Sequence, residues 1–337
     1  MRALRVRRPR SVEERPLELS DEARPEPGAG QVRVRVESCG VCRTDLHVAE
    51  GDLPPQRESV IPGHEVVGRV DAVGSGVRAP REGDRIGIAW LHRSCGRCRF
   101  CARGAENLCL EPRFTGWHED GGYAEYALAP AEFVYALPEK PDAASLAPLL
   151  CAGIIGYRAY RRSGVRPGER LGLFGFGGSA HLAIQIARHF GNEVYVWSRA
   201  GRHQALAREL GAAWVGSADE PAPAPVQGAI LFAPAGELVP RALGALDRGA
   251  ALAVAGIHLS PIPPLDYRRH LFEERELRSV TANTREDGRA LLELAAAIPL
   301  VPHTVPYPLE RANEALADLK ADRIRGAAVL RTSPTPV

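Results

Sequence analysis

The sequence contains very little methionine and lysine. In 337 residues there is one methionine, Met1, and there are two lysines, Lys140 and Lys320, so nearly all the basic residues are arginines. A GC-rich genome or growth at high temperature would each produce this bias, and composition does not separate the two. The 43 basic and 41 acidic residues form no long run of one sign. The charge pattern therefore gives no indication of a nucleic acid or an anionic membrane as a partner.

Long apolar runs are scarce as well. The first twenty residues, MRALRVRRPRSVEERPLELS, lack the apolar stretch that a secretory signal needs. We identify no later window that approaches a membrane span, and we expect a cytoplasmic protein. Seven cysteines in a chain of this length are too few and too clustered for a disulfide scaffold. In a reducing compartment such clusters more often bind metal.

The length favours two domains, and the sequence pattern changes near Pro148. From Gln31 to Pro138, short alternating segments such as VRVRV are separated by glycine and proline, which predicts an antiparallel β-rich domain. After Pro148, helix-length and strand-length segments take turns, which is typical of a doubly wound parallel sheet.

We therefore predict an α/β fold with two domains. The β-rich domain covers residues 1–147 and 285–337, and the parallel-sheet domain covers residues 148–284. The segment PLERANEALADLKADRIRG predicts an amphipathic helix with Gly326 where the helix would stop.

Four cysteines, Cys95, Cys98, Cys101 and Cys109, lie in one short segment with the spacing C-x2-C-x2-C-x7-C. A structural zinc ion takes four thiolates in a closed tetrahedron at about 2.3 Å, and short spacings let one loop wrap the ion. The alternative, a set of free or disulfide-bonded thiols, is much less favoured by this spacing. Because four ligands leave no open position, the lobe at about residues 92–112 is predicted to be structural.

A second metal site is suggested by the remaining cysteines. Cys39 and Cys42 lie in ESCGVCRTDLH, His64 lies in IPGHEVVGRV, and Cys151 lies in PLLCAGIIGY. A catalytic zinc keeps three protein ligands and one exchangeable position, and two cysteines with one histidine can serve alcohol oxidation. A single GHE segment or a single buried cysteine is more often structural, so the residues taken one at a time leave both interpretations open.

A glycine-rich turn follows an apolar strand in ERLGLFGFGGSAHLAIQIARHF. Between a strand and a helix, the pattern G-x-G-x-x-G/A indicates a dinucleotide site. Its glycines allow a tight turn and a close approach of the backbone to the pyrophosphate, which the helix N-terminus holds. The residues of the pattern are Gly175, Gly177, Gly178 and Ala180.

The choice of cofactor depends on the end of the next strand, in EVYVWSRAGRHQ. An NAD enzyme places an aspartate or glutamate there to bind the ribose hydroxyls. Ser198 and Arg199 stand there instead, and a hydroxyl and a guanidinium can bind a 2′-phosphate, with Arg202 and His203 as further candidates. The alternative is a solvated Arg199 and loose specificity. We expect NADP(H) to be preferred over NAD(H).

Four segments in this order make the chain resemble the zinc-containing medium-chain alcohol dehydrogenases over almost its full length. They are GVCRTDLH, GHEVVGRV, the four-cysteine lobe and LLCAGIIGY. The segment EPRFTGWHEDGGYAEY and the absence of long insertions make it look closest to bacterial relatives of cinnamyl alcohol dehydrogenase. The resemblance implies a GroES-like catalytic domain joined to a Rossmann cofactor domain.

The resemblance also implies the ligands of the catalytic zinc. Cys42, His64 and Cys151 would hold the ion, and Glu65 just behind it could approach the metal during ligand exchange. Asp45 would accept a hydrogen bond from His64 and so fix its ring, as metal-bound histidines generally require.

Further roles follow from the same resemblance. The released proton would pass through the hydroxyl of Thr44, the nicotinamide ribose and the imidazole of His47, although His47 could also be an ordinary helix-turn histidine. Arg325 would reach the pyrophosphate from the other domain. Ile155 stands where many relatives have a threonine beside the nicotinamide. Cys39 has no matching role and is interpreted as a small buried apolar residue.

We expect a zinc-dependent alcohol dehydrogenase or aldehyde reductase with two zinc ions per subunit, acting with NADP(H) on primary, aryl or allylic alcohols and aldehydes. Trp90, Leu91 and Trp117 are candidates for an apolar pocket, and each could equally be core. A homo-oligomer is expected, a dimer first and a tetramer second, with no nucleic-acid or membrane partner.

Three alternatives stay open at this point. The first is an NAD-dependent alcohol dehydrogenase of broad aliphatic specificity. The second is a zinc-free reductase of the quinone oxidoreductase kind, which would lack the cysteine and histidine ligands. The third is a non-catalytic NADPH-binding protein, which would be expected to lose a ligand or the proton path. The sequence retains these residues, which argues against the second and third.

Overall fold

The computed structural model describes residues 1–199 and 201–332. These residues form two compact units. The first unit contains Met1–Cys151, Ala282–Ala290 and the residues from Pro302 onward, and the second contains Ala152–Thr281 and Leu291–Val301. The predicted α/β fold class is confirmed.

Both units are built from short strands and helices. The strands are β1 (Arg2–Val6), β2 (Leu17–Asp21), β3 (Gln31–Val41), β4 (Val66–Val73), β5 (Arg85–Ile88), β6 (Leu91–Arg93), β7 (Arg113–Phe114), β8 (Tyr126–Pro130), β9 (Val134–Ala136), β10 (Arg170–Phe174), β11 (Glu193–Trp197), β12 (Trp214–Gly216), β13 (Val226–Leu231), β14 (Leu246–Val254), β15 (Glu276–Ser279), β16 (Thr304–Pro308) and β17 (Ala327–Arg331). The helices are α1 (Arg43–Glu50), α2 (Ala143–Leu146), α3 (Ala152–Ser163), α4 (Ala180–His189), α5 (Gly201–Glu209), α6 (Leu238–Gly244), α7 (Tyr267–His270), α8 (Arg285–Ala297) and α9 (Ala312–Lys320).

The first unit is organised around strand β3. Among the described residues its sheet has the order β16-β17-β3-β4-β5-β9, and β8 also pairs with β3. The alternating VRVRV segment lies in β3, where Val32, Val34 and Val36 are almost fully buried. Most pairs in this sheet are antiparallel, as predicted, whereas β16 and β17 are parallel. Because β3 leads directly to Cys42, this sheet positions the first candidate metal ligand.

The second unit contains a parallel sheet with the order β12-β11-β10-β13-β14-β15 among the described residues. This is the doubly wound order of a dinucleotide-binding fold. The chain winds outward from β10 through β11 to β12 and then returns to place β13 on the other side of β10, so the loops after β10 and β13 border the reversal. Helix α3 packs against α4, and a β-carbon on Gly156 would lie 3.1 Å from the carbonyl oxygen of Ser179, which explains a glycine at the contact.

The compact units divide the chain differently from the predicted domains. Residues 291–301, predicted to lie in the β-rich domain, belong to the second unit. Leu291 is fully buried, and the side-chain amide of Gln185 in α4 pairs with both backbone groups of Val301, each at 3.0 Å. Helix α8 therefore begins in one unit and ends in the other.

Two further expectations need correction. One segment, Ala143–Ser163, is long and apolar enough to cross a membrane by length and composition, although no such window was expected. Of its apolar 18-residue window, 67% is buried within the protein, as in a core helix. Helix α9 ends at Lys320 rather than at Gly326, and Asp322 takes the left-handed conformation that a glycine was expected to supply. Gly326 instead permits the close approach of His303 at the start of β17.

Candidate metal and active site

Helix α1 organises the first site through Asp45, which lies in its first turn. The Asp45 carboxylate accepts the backbone N–H of Cys42 at 2.9 Å and so closes the start of the helix. This carboxylate is only 1% exposed, and three more donors reach it. They are the backbone N–H of Gly63 at 3.0 Å, Nδ1 of His64 at 2.9 Å and the hydroxyl of Tyr123 at 3.3 Å. One buried side chain therefore joins segments that are distant in the sequence.

Four predicted residues come together in this site. One ligand atom each from Cys42, His64, Glu65 and Cys151 lies within 4.8 Å of the others. The sulfur atoms of Cys42 and Cys151 are 4.0 Å apart, and the buried Nε2 of His64 has no hydrogen-bond partner among the described residues. A zinc tetrahedron with arms of about 2.3 Å has corners about 3.8 Å apart, so these donors fit a zinc ion. We call Cys42, His64 and Cys151 the three-ligand cluster.

The ionisation of the ligands depends on their pairing. A hydrogen bond from the Cys151 thiol is the main reason that the pKa of Cys42 lies well below its usual value, and His64 acts in the same direction. The pKa of Cys151 is raised well above its usual value by the same pairing and by burial. Burial lowers the pKa of His64, but Asp45 and Cys42 together outweigh it and raise that pKa well above its usual value. The pairing therefore favours ionisation of Cys42 over that of Cys151, and metal ligation requires that both be deprotonated.

Glu65 places a carboxylate behind this cluster. Its side chain is buried and lies over Gly40, where a β-carbon would overlap the carboxylate. The backbone N–H of Gly40 also donates to the carbonyl oxygen of Glu65 at 3.0 Å. The absence of a side chain at position 40 is therefore a steric requirement of the Glu65 position.

Helix α1 also positions the two residues predicted to conduct the proton. Thr44 is buried, and its hydroxyl lies 3.8 Å from the sulfur of Cys42. Nδ1 of His47 lies 2.8 Å from the carboxylate of Asp52. Sequence reasoning missed Asp52. A carboxylate just beyond Gly51, the left-handed residue that ends α1, was the available signal.

The four-cysteine lobe forms within one loop. The sulfur atoms of Cys95, Cys98, Cys101 and Cys109 all lie within 4.8 Å of one another. Cys101 is 4.0 Å from Cys95 and 3.6 Å from Cys98, measured between sulfur atoms. The backbone N–H of Cys95 and that of Glu111 donate to the Cys109 sulfur at 3.2 and 3.3 Å. The predicted ligand set is therefore assembled, and its dimensions fit a closed tetrahedral zinc site.

The ionisation of the lobe thiols follows their surroundings. Backbone N–H groups of Cys101 and Leu110 are the main reason that the pKa of Cys98 is lowered to about 6. Burial raises the pKa of Cys109 to about 11. Backbone donors that stabilise thiolates suit a loop that wraps a cation.

Aromatic rings border the three-ligand cluster. The ring of Trp90 meets the His64 imidazole edge to face at 5.0 Å between centroids, and it stacks on Phe114 at 4.9 Å and on Trp117 at 6.0 Å. His118 contacts the edge of Trp117 at 4.4 Å. We call Trp90, Phe114, Trp117 and His118 the aromatic stack. It is a continuous set of ring contacts that begins at a candidate metal ligand.

The aromatic stack contains two of the three predicted pocket residues. The third, Leu91, is buried in β6 opposite Phe114 of β7. Sequence reasoning missed Phe114 and His118, and the pairing of β6 with β7 is what brings them beside Trp90. Tyr123 was missed as well. It is fully buried, and its contact with Asp45 depends on a loop conformation that no local sequence pattern predicts.

The glycine turn of the second unit has the conformation that its pattern requires. Gly175 has a φ of 87°, and a β-carbon there would lie 2.8 Å from the backbone nitrogen of Ala233. A β-carbon on Gly177 would meet nothing within 4 Å, so space remains beside the turn. Helix α4 begins at Ala180, and the preceding Ser179 makes no side-chain cap. The turn therefore offers both room and backbone N–H groups to an anion.

The end of β11 lies next to this turn. Phe174 pairs with Trp197, and the N–H of Gly175 donates to the carbonyl oxygen of Trp197 at 2.8 Å. Ser198 is therefore adjacent to the turn, and Arg199 follows it with an exposed side chain. A serine and an arginine occupy the place where a carboxylate would bind a ribose.

Other predicted cofactor residues lie at separate places in the chain. Arg202 is exposed and His203 is buried in the first turn of α5, and Gly178 precedes α4. Arg325 is exposed in the first unit, just before β17. Ile155 is half-buried in α3, and Cys39 is fully buried, as expected of a small apolar residue. The roles of the four cofactor residues stay predictions.

Known proteins share both units. Residues 28–139 match the alcohol dehydrogenase GroES-like domain, and residues 178–297 match the zinc-binding dehydrogenase family. The probable alcohol dehydrogenase AdhA of Mycobacterium tuberculosis is 54% identical over 335 residues, which are 98% of this chain and 97% of that protein. A cinnamyl alcohol dehydrogenase from Sorghum bicolor shares the fold with a TM-score of 0.89 and 28% identity over 99% of both chains. A cobalt- and zinc-bound thermostable alcohol dehydrogenase from Pyrobaculum aerophilum has a TM-score of 0.89 and 28% identity over 98% of this chain and 99% of that chain.

The fold and the two cysteine sites define an oxidoreductase that combines a metal-binding β-rich unit with a dinucleotide-binding unit. The relatives make this class specific. The chain belongs to the zinc-type medium-chain alcohol dehydrogenase family, and it is an alcohol dehydrogenase with a cofactor domain of the NAD(P) type.

Proposed function

We propose that the chain is a zinc-dependent alcohol dehydrogenase and aldehyde reductase that uses NADP(H), with one zinc ion in the three-ligand cluster and a second in the lobe. One observation carries this proposal: Nε2 of His64 is buried, has no hydrogen-bond partner among the described residues, and lies with the sulfurs of Cys42 and Cys151 within 4.8 Å. A buried polar atom without a partner is costly unless something binds it.

A zinc ion in this cluster would lower the pKa of an alcohol or polarise a carbonyl group, and NADP(H) would exchange the hydride. The residues of the chain prepare the site for this. Asp45 accepts from Nδ1 of His64, which leaves the lone pair of Nε2 for the metal. Glu65, held over Gly40, is the further carboxylate that could approach the metal during ligand exchange.

The proton leaves by a path that begins on α1. The Thr44 hydroxyl lies beside the Cys42 sulfur and can accept a proton from the alcohol and pass it on. His47 is the outer acceptor that we propose, since imidazole titrates near neutrality. Asp52 accepts a hydrogen bond from Nδ1 of His47, so it orients the ring.

The cofactor preference rests on the end of β11. Ser198 and Arg199 supply a hydroxyl and a guanidinium beside the glycine turn, where a carboxylate would repel a 2′-phosphate. Arg202 and His203 are the further phosphate-binding residues that we propose, and Arg325 is proposed for the pyrophosphate. An NAD-dependent enzyme of broad aliphatic specificity is the second candidate, favoured by the exposed position of Arg199.

The aromatic stack supports aryl and allylic aldehydes and primary alcohols as substrates, because flat unsaturated groups can pack against its rings. A cytoplasmic homodimer is part of the proposal. The outer strand β15 and the segment before it expose Tyr267, Phe272 and Leu277, which a second copy could cover.

The test combines metal analysis with kinetics. We expect two zinc ions per subunit by mass spectrometry, oxidation of NADPH by benzaldehyde and cinnamaldehyde, and kcat/KM at least about tenfold higher with NADPH than with NADH. Arg199→Asp should reverse the cofactor preference, and Arg208→Asp at an exposed residue of α5 serves as the charge-matched control. Equal use of both cofactors would favour the second candidate, and cofactor binding without turnover of any aldehyde would contradict an enzymatic role.

A further inference from the structure

A polar cavity of about 650 Å³ lies in the first unit beside the lobe. The proposed reaction gives it no role. We call it the arginine cavity, and its polar lining includes Arg93, Arg97, Arg113, Gln56, Glu111 and His118. Three guanidinium groups therefore face one carboxylate, which makes the cavity suited to an anion.

Two of these arginines are opposed across a strand pair. Arg93 of β6 is the register partner of Arg113 of β7, next to an irregularity in the strand pair, and both side chains line the cavity. Like charges directly opposite each other destabilise a strand pair. Features that cost stability without a local benefit are concentrated at functional sites.

The two arginines are not equally neutralised. Arg113 donates to the carboxylate of Glu119 at 2.8 Å and to the carbonyl oxygen of His118 at 3.2 Å. Arg93 is exposed and has no ion pair or side-chain hydrogen bond within residues 1–199 and 201–332. Its positive charge is therefore available to a ligand.

The third arginine is only weakly paired. Arg97 lies 3.6 Å from Glu111, and the two side chains are 82% and 67% exposed. An ion pair this exposed contributes little, so an anion in the cavity could compete with Glu111 for Arg97. The positive field also reaches neighbouring groups: burial, followed by Arg113, lowers the pKa of His118.

The arginine cavity and the three-ligand cluster are joined by the aromatic stack. His118 lines the cavity and contacts Trp117, Trp117 stacks on Trp90, and Trp90 contacts the candidate ligand His64. Gln56 also lines the cavity, and its side-chain amide donates to the carbonyl oxygen of Pro54, to which Trp117 also donates. A continuous series of ring contacts therefore links the candidate metal ligand His64 to the cationic cavity.

We propose that the arginine cavity binds an anionic group at the far end of the substrate. The substrates of this class are alcohols and aldehydes whose apolar body lies along the aromatic stack and whose carboxylate or phosphate lies in the arginine cavity. The proposal rests on the proposed function and leaves its hydride and proton transfers unchanged. Arg93 is the residue that distinguishes such substrates from neutral ones, because its charge has no partner within the described chain.

The experiment compares matched pairs of substrates with the full zinc-containing chain. One series pairs n-alkanals with ω-oxocarboxylates of the same length, and a second pair is cinnamaldehyde and its para-carboxylate. At low ionic strength we expect the best-fitting carboxylate to have kcat/KM about tenfold above that of its neutral partner, which corresponds to about 1.4 kcal/mol. The preference should decline as salt is added, because the cavity is open to solvent.

The variants are compared by the ratio of kcat/KM for the carboxylate to kcat/KM for its neutral partner. A loss of activity that is common to both substrates cancels in this ratio. Arg93→Gln should bring the ratio to about one. Arg99→Gln removes the same charge from an exposed lobe residue that is not among the cavity lining, and it should leave the ratio unchanged. Zinc content and thermal unfolding of each variant show whether the lobe is intact.

The outcomes separate this proposal from the proposed function. Turnover of neutral aldehydes with a ratio near one at every length would overturn the anionic-substrate proposal alone. No turnover of either series with either cofactor would overturn the proposed function and this proposal together. Inorganic phosphate should inhibit the carboxylate series competitively and spare the neutral series. Binding of phosphate without any carboxylate preference would assign the cavity to a separate anion and would also overturn the proposal.

Discussion

The two cysteine sites of the first unit are built in opposite ways. The lobe takes its four thiols from residues 95–109, and backbone N–H groups stabilise them. The three-ligand cluster takes its side chains from segments around residues 42, 64 and 151, and the buried Asp45 orients its histidine. Closing a short loop costs little chain entropy, whereas the second site requires the completed sheet. Ligands that are near neighbours in the chain, as in the lobe, can close around an ion and stabilise a loop. Ligands that come from distant segments, as in the three-ligand cluster, can leave one coordination position open.

The strongest test of this difference between the two sites is the removal of His64. We expect His64→Ala to lower kcat/KM at least about a thousandfold, because several kcal/mol of electrophilic stabilisation would be lost with the metal. Mass spectrometry should show one zinc ion fewer per subunit. His189→Ala, at an exposed histidine of α4, is the control. Normal activity and full zinc content in His64→Ala would contradict the ligand assignment.

Removal of a lobe thiol should have a different signature. Cys98→Ser should also lose one zinc ion, but the main effect should be a melting temperature lower by about 5 °C or more, because structural metal binding contributes to folding free energy. Differential scanning calorimetry with metal analysis measures this. Cys39→Ala removes a buried thiol that belongs to neither site and should keep both zinc ions. If Cys98→Ser lost catalysis as severely as His64→Ala, the two sites would not differ as argued.

Weakening the support of the cluster should have a smaller effect than removing a ligand. Asp45→Asn keeps the shape, but an amide nitrogen cannot accept the hydrogen bonds that the carboxylate accepts from Cys42, His64 and their neighbours. We expect a loss of about 10- to 100-fold in activity or zinc affinity. Competition with a chelator gives the affinity. Tyr123→Phe removes one donor from the same carboxylate and should cost less, and the reverse order would contradict the role given to Asp45.

The smallest expected effect concerns the attachment of the lobe segment to the rest of the first unit. Glu106 accepts from Nη2 and Nε of Arg285 at 2.8 and 3.0 Å and also from the Arg285 backbone N–H. Burial raises the pKa of Glu106, but Arg285 outweighs it and the net pKa is lowered. Because the folded pKa lies below the unfolded one, the pair stabilises the protein above the ordinary glutamate pKa of about 4.3 and loses this effect as pH falls through the folded pKa.

Glu106→Gln should therefore destabilise the protein by about 1–2 kcal/mol near neutral pH, and the difference should shrink under acid conditions. Urea unfolding at several pH values, with zinc content followed in parallel, measures it. Glu132→Gln is the control, because Glu132 is exposed and lies 3.7 Å from the same arginine. If the difference in unfolding free energy between Glu106→Gln and the unchanged protein grew on acidification, the lowered pKa of Glu106 would be contradicted.

Sequence patterns predict local sites better than assembled ones. The lobe and the glycine turn were predicted from spacing alone because their residues are near neighbours in the chain. The three-ligand cluster needed a family resemblance, since nothing in the spacing of Cys42, His64 and Cys151 says that they meet. In the structure one ligand atom from each of these residues lies within 4.8 Å of the others.

Most of the residues that were missed depend on contacts between distant segments. Tyr123 reaches Asp45, and Phe114 reaches Trp90, only after such segments have packed. Asp52 is different, because it lies just beyond the end of α1 and contacts His47 locally. The end of α9 was predicted wrongly because a non-glycine residue, Asp322, takes the left-handed conformation. The division of α8 between two units has no sequence signal, since its helical pattern continues across the boundary.

The placement of β17 bears on how the protein is made. This strand pairs Val329 with Gly40 and Leu330 with Cys39, in the interior of the same sheet that leads into Cys42. These pairing partners lie almost three hundred residues apart in the chain, so the ribosome makes one of them long before the other. The lobe can close soon after residue 109 leaves the exit tunnel. The first part of β3 finds its neighbours β4 and β8 early, whereas residues 38–41 at its end wait for nearly the whole polypeptide before β17 arrives. A nascent chain stalled before β17 should therefore hold a finished lobe beside an unfinished reaction centre.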